Sequence, residues 1–310
     1  MPSPSAASAP PLFPRPTALL LLSVIACCFA GNHVAARLAF DDGAGVLTAV
    51  LCRAGTAVLV LAGLVAWRRE RLALPAGTRG WQLLLGLLIA VQSLCLYSAV
   101  ARIPVALALL LGNTFPVLLA LLNWASGGPR PTRRACLVMG VVLVGLLLAL
   151  NVPARLEEAR TGAGGIAWGA GVAFALTAAS VFACALWVTD RKLAALPGTV
   201  RSFYTMLTVC SSMAIAGSAG AVPGGMAWPQ HATGWAGLAV LMLLYTTAFT
   251  LLFVSVPRLD MTRNAPMMNV EPIATLFIGW AVLDQWLAPI QLLGTLVVLA
   301  GIVLLSRDRR

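Results

Sequence analysis

Apolar residues run along this chain in stretches separated by short breaks where Arg, Pro and Gly gather. A helix rises about 1.5 Å per residue, so about 20 apolar residues cross the hydrocarbon core of a bilayer. The stretches predict ten spanning helices, at 17–38, 46–67, 80–100, 103–123, 133–151, 164–188, 199–221, 232–256, 262–284 and 288–306. The breaks between them leave no room for a soluble domain. Residues 1–16, rich in Pro and Ser, predict a disordered cytoplasmic tail. The apolar run after it is too long for a cleaved signal peptide.

A second pattern lies over the first. Arg102–Pro116 reads RIPVALALLLGNTFP, and Arg258–Pro272 reads RLDMTRNAPMMNVEP. One offset aligns Arg102 with Arg258, Asn113 with Asn269 and Pro116 with Pro272. Each segment is a polar loop followed by a helix bearing N-x-x-P. The spans therefore divide into two repeats of five, 17–151 and 164–306. An odd number of spans turns the second copy upside down. Inverted repeats typify secondary transporters, whose substrate site lies near the midplane where the halves meet. The expected fold is an all-α membrane protein of ten transmembrane helices in two inverted five-helix repeats.

Composition excludes a water-soluble fold. The 310 residues are 60% hydrophobic and only 10% charged, with mean hydropathy +0.92. A soluble domain carries about a quarter charged residues. The net charge of +11 does not indicate nucleic-acid binding, because the Lys and Arg residues form no single basic face. They fall instead in alternate loops. One set, which includes Arg68, Arg69, Arg71, Arg79, Arg130, Arg133 and Arg134, holds 16. The other holds Arg37, Arg102, Arg155 and Arg160, which makes 4. Positive loops stay in the cytoplasm, so both termini of this multi-pass protein are expected there.

The seven cysteines form no C-x-x-C pair, and His33 and His231 lie far apart. Neither a disulfide, a metal site nor a cofactor is expected. There is no Walker motif, no G-x-S-x-G, no H-E-x-x-H and no second deep carboxylate. Primary pumping and intramembrane catalysis therefore lack their chemistry, and no enzyme is expected.

A few polar residues interrupt the oily spans. A proline inside a helix frees the carbonyl four residues back. Pro116 would free Gly112 and Pro272 would free Met268, so kinks are expected at both prolines. Asn113 and Asn269 lie three residues before them and either patch the bent backbone or face a substrate. Glu271 is the only carboxylate deep in a span. It either lines a cavity, where it could also couple protons, or locks its helix to a neighbour. Arg53 either holds a substrate carboxylate in its planar fork or snorkels to the outer headgroups. Asn32, His33, Gln92, Tyr97 and Tyr245 complete the expected lining. Trp187, Trp228 and Trp286 fall near predicted interfaces, where aromatic belts form.

The closing block, EPIATLFIGWAVLDQWLAPIQLLGTLVVLAGIVLL, resembles the end of an EamA domain of the drug/metabolite transporter superfamily. The matching residues are Glu271, Pro272, Gly279, Trp280, Asp284, Gln291, Gly294 and Gly301. GNHVAAR in the first span is similar to the family's opening segment, with Phe29 in place of the usual Trp, and Arg53 matches an Arg often found in the second. Asp284 stands where the family usually has Glu, and Phe115 stands opposite Glu271 in the other repeat. The resemblance covers nearly the whole chain as two repeats. It implies a carrier of small metabolites, frequently an exporter of amino acids or related compounds, with a cavity formed by helices other than the fifth and tenth. The partners expected are a small-molecule metabolite and the lipid bilayer. The sequence does not fix the oligomeric state. A scaffold whose polar residues only staple helices, or an intramembrane enzyme, is the alternative.

Overall fold

The computed structural model describes residues 12–128, 130, 132–149, 151, 165–222, 225–255, 258–259 and 270–307, and these are all helix, turn or loop. The helices, in chain order, are α1 (Arg15–Asp41), α2 (Val46–Arg68), α3 (Arg79–Val100), α4 (Val105–Gly112), α5 (Phe115–Ala125), α6 (Arg133–Ala149), α7 (Gly165–Lys192), α8 (Gly198–Ser218), α9 (Ala232–Ser255), α10 (Val270–Leu283) and α11 (Pro289–Arg307).

Proline sets many of the boundaries. Pro14, Pro104 and Pro197 cap α1, α4 and α8 from outside, and Pro289 opens α11. Proline suits these positions because the first amides of a helix have no internal acceptor. The segment expected as one span at 103–123 is broken. Asn113 and Thr114 form a turn, and Pro116 sits in the first turn of α5. The α2 helix ends with Arg69 in the left-handed region at φ 53°, and its last carbonyls accept from Arg69 and Glu70. Gly43, at φ +91°, turns the chain between α1 and α2 against the Gln230 side chain, a conformation that a side chain would strain.

Six segments are long and apolar enough to cross a membrane: α1, α2, α3, α4 with α5, most of α7 and most of α9. Parts of α6, α10 and α11 are shorter apolar helices. The α8 helix carries Thr199, Arg201, Ser202, Thr205 and Thr208 along one flank, which lowers its hydropathy. The ten spans read from the sequence are thus met by length and composition in six cases among the described residues. Large apolar side chains face outward, among them Trp67 at 80% exposed and Leu59 at 73%.

The packing crosses between the two ends of the chain. Every extensive pairing joins one of α1–α6 to one of α7–α11: α1 with α9, α6 with α11, α3 with α7, α2 with α8, α1 with α10, α3 with α8, α4 and α5 with α7, and α2 with α9. The pattern is reciprocal once α4 and α5 count as one span. Exchanging each span with the one five places on turns α1–α9 into α3–α7, and α1–α10 into the α4/α5–α7 contact. It returns α2–α8 and α6–α11 to themselves. Close approach at α6–α11 depends on glycine: a Cβ on Gly294 would lie 2.2 Å from the Ala149 nitrogen and 2.5 Å from the Gly145 carbonyl oxygen. Small residues give helices in lipid their contact area, since apolar burial alone does not favour association there.

Candidate functional site

The polar residues of the spans meet where α1, α2, α3, α9 and α10 converge. Arg53, on α2, is only 6% exposed. Its Nη1 donates to the Tyr97 hydroxyl at 3.2 Å and its Nη2 to the Ser93 hydroxyl at 2.7 Å. Ser93 and Tyr97 lie four residues apart on α3 and so share a face. The guanidinium carbon sits 4.7 Å from the Tyr97 ring centre and 4.2 Å from that of Tyr245 on α9. Each such contact contributes on the order of 2 kcal/mol when desolvated. A buried cation needs this, because taking it out of water costs several kcal/mol. Arg53 therefore points inward between two aromatic rings and does not reach for the outer headgroups.

Tyr97 relays the network to α1. Its hydroxyl donates to Asn32 Oδ1 at 2.6 Å, and Asn32 in turn donates to the Phe29 carbonyl. His33 lies 5.5 Å from the Tyr97 ring. Its Nε2 is 3.7 Å from Glu271 Oε1, which ties α1 to the first turn of α10. The Glu271 side chain is 18% exposed. Gln92 is half-buried beside Ser93, 3.5 Å from its hydroxyl. Tyr245 places its hydroxyl 3.6 Å from the Met206 sulfur on α8. Two buried nitrogens of this group, His33 Nδ1 and Arg53 Nε, have no hydrogen-bond partner among the described residues.

Asn32, His33, Arg53, Tyr97, Tyr245 and Glu271 thus come together, with Gln92 at the edge. Asn113 does not join them. Its Nδ2 donates to the Leu109 carbonyl at 2.9 Å, which also accepts from the Asn113 backbone N–H. Thr275 behaves likewise, donating to the Glu271 carbonyl. Pro116 stands at the α4–α5 break. Pro272 is buried in the first turn of α10. Asn269 and Met268 lie outside the described residues. Ser93 is the member that sequence reasoning missed, although its spacing of four from Tyr97 could have marked it. Among the described residues no group of three His, Cys, Asp or Glu forms a metal site. Of the expected belt, Trp228 and Trp286 are exposed, whereas Trp187 packs against the cluster around Leu85 and Val188.

On the end of the bundle where α1 closes, a second polar knot joins the halves. The Asp42 carboxylate accepts from the backbone N–H groups of Gln230 at 3.0 Å and His231 at 2.7 Å, and its Oδ1 meets His231 Nδ1 at 2.5 Å. These hydrogen bonds hold the Asp42 carboxyl below the usual carboxylate range, that of the His231 N–H foremost. Thr48 and Gly45 both donate to the Ala227 carbonyl. Arg37 nearby bonds Asp41 and the carbonyls of Val100 and Ile103.

A helical bundle with lipid-facing sides and a charged, aromatic centre between interleaved halves is the architecture of a multi-pass membrane transport protein. The chain belongs to the EamA-like transporter family, whose sequence model matches residues 16–151 and 169–307. Members of that family are membrane transporters of the drug/metabolite transporter superfamily. No curated protein matches the chain. Among solved structures, one described only as "Crystal structure of protein" is 20% identical, covers 95% of this chain and 98% of that one, and has a TM-score of 0.58. At that identity the likeness concerns the fold alone.

Proposed function

We propose that this protein is a secondary transporter of a bacterial inner membrane that exports small metabolites, amino acids or related compounds, by alternating access. In this reading residues 17–151 and 164–306 are two inverted repeats of five spans each, and both termini lie in the cytoplasm. The observation that carries it is the polar cluster of Arg53, Tyr97, Tyr245, Asn32, His33 and Glu271, buried between halves that touch mainly each other. Polar groups are expensive in the membrane interior, and those found there mark substrate or ion pathways. The reciprocal helix pairings support the inverted repeats. The 16-to-4 division of Lys and Arg supports the orientation.

Purified protein in liposomes tests the proposal. A carrier releases preloaded labelled amino acids with saturable kinetics and exchanges them against unlabelled ones. Release no faster than from protein-free liposomes would leave only a scaffold. Reporter fusions test the topology, and a periplasmic C-terminus would overturn the span count.

A further inference from the structure

Arg53 carries a full positive charge at any physiological pH, and it is sealed inside the bundle. All the partners it has among the described residues are neutral: the Ser93 and Tyr97 hydroxyls and the rings of Tyr97 and Tyr245. It makes no ion pair among those residues. The Glu271 carboxyl group faces His33 instead, at 3.7 Å. The Arg53 Nε–H has no acceptor, and Nη2 keeps a second N–H beyond the one given to Ser93. Nε and Nη2 form one edge of the guanidinium, the edge that grips a carboxylate with two parallel hydrogen bonds. A buried cation with neutral neighbours and an unpartnered Nε–H lacks one thing, an anion.

We propose that Arg53 is the seat for a single carboxylate of the transported molecule, which docks on the Nε–Nη2 edge while Tyr97 and Tyr245 hold the guanidinium plane. The proposal rests on the carrier reading and deepens it. The seat takes a monoanion. A second negative charge would find no other cation within the cluster and would meet the Glu271 carboxyl group. An amide or a decarboxylated amine would leave the fork unfilled. A site with unpaired buried donors rejects such analogues strongly, by a factor of about 10⁴ where it is fully desolvated. The two tyrosines therefore act as positioning residues, and Arg53 sets charge selectivity.

Thermal unfolding of the purified full chain, followed by tryptophan fluorescence, tests the seat with propionate as probe and propionamide as its neutral counterpart at matched ionic strength. Propionate raises the Tm of the wild type by about 3 °C at saturating concentration, and propionamide does not. Gly140→Ala, on α6 and outside the cluster, where an added Cβ meets nothing within 4 Å, keeps the response. Arg53→Gln loses it. Arg53→Lys keeps the cation and loses the fork, so it needs about tenfold more propionate. Should Arg53→Gln not fold, the Lys variant decides alone. Equal responses to propionate and propionamide, or an unweakened response in either Arg53 variant, overturn the proposal. Flux separates the two readings. A propionate response that depends on Arg53 without any amino-acid flux keeps the seat and removes the carrier. Saturable flux of labelled amino acids and of their amides at equal rates keeps the carrier and removes the seat.

Discussion

Glycine spacing at the α6–α11 interface gives a prediction whose size follows from geometry. Gly294→Ala adds a Cβ at 2.2 Å from the Ala149 nitrogen and 2.5 Å from the Gly145 oxygen, where ordinary contact begins at 3.4 Å. The shortfall against the nitrogen is 3.4 − 2.2 = 1.2 Å, and its partners are backbone atoms that cannot swing aside. The helices must part by about 1 Å or tilt, an overpacking cost of about 1–3 kcal/mol. Alanine also favours the helix over glycine by about 1 kcal/mol, which masks part of that cost. Gly140→Ala supplies the control. It lies on α6, and its Cβ would meet nothing within 4 Å, so it gains the propensity with no clash. The difference between the two variants isolates the overpacking term. At about 2–4 °C per kcal/mol, Gly294→Ala should unfold about 2–12 °C below Gly140→Ala in a fluorescence melt in detergent. Coincident melts would refute the close packing of these two helices.

Tyr97→Phe leaves both Arg53 Nη1 and Asn32 Oδ1 without a partner and should cost about 1–3 kcal/mol, whereas Tyr245→Phe loses only a 3.6 Å contact to sulfur and should stay within 1 kcal/mol or so; denaturation of the two variants side by side checks the order. Glu271→Gln should abolish any pH dependence of liposome flux, and an unchanged profile would remove Glu271 as a proton-coupling group. For Asp42 the carboxyl pKa is lower in the folded protein than in the unfolded chain, so its contribution is complete above about pH 4 and fades as pH falls below that. The stability difference between wild type and Asp42→Asn should therefore stay level from pH 8 to 5 and shrink in stronger acid. A difference that changed between pH 8 and 5 would refute the donated N–H groups as the source of the clasp.

Local rules in the sequence reached the helices and one bend. Runs of apolar residues located the helix ends to within a few residues, except the start of the span expected from 262, where 260–269 lie outside the described residues, and Pro116 marked the α4–α5 break because proline cannot continue a hydrogen-bond ladder. Residues whose role depends on a distant helix were harder. Arg53 offered two directions, and only the rings of Tyr97 and Tyr245, brought in by α3 and α9, turn it inward. Asn113 likewise carried two readings, and its amide turns back to the Leu109 carbonyl of its own helix. Ser93 drew no notice because a lone serine in an apolar helix commonly bonds its own backbone. The α8 helix shows the converse. Its hydroxyls depress hydropathy, yet Thr205 accepts from Gln82 on α3, a satisfaction that no single-helix measure registers.

The interleaving of the two halves also bears on how the protein is made. Translation delivers α1 to α6 into the bilayer first. Their main partners, α7 to α11, do not yet exist. Until the ribosome finishes, Arg53 has Tyr97 beside it but no Tyr245, and His33 has no Glu271. The early spans must wait, attended by lipid or by the insertion machinery, with a charge only half covered. A chain cut between the halves should therefore be cleared by membrane proteases and not persist as a miniature of the whole.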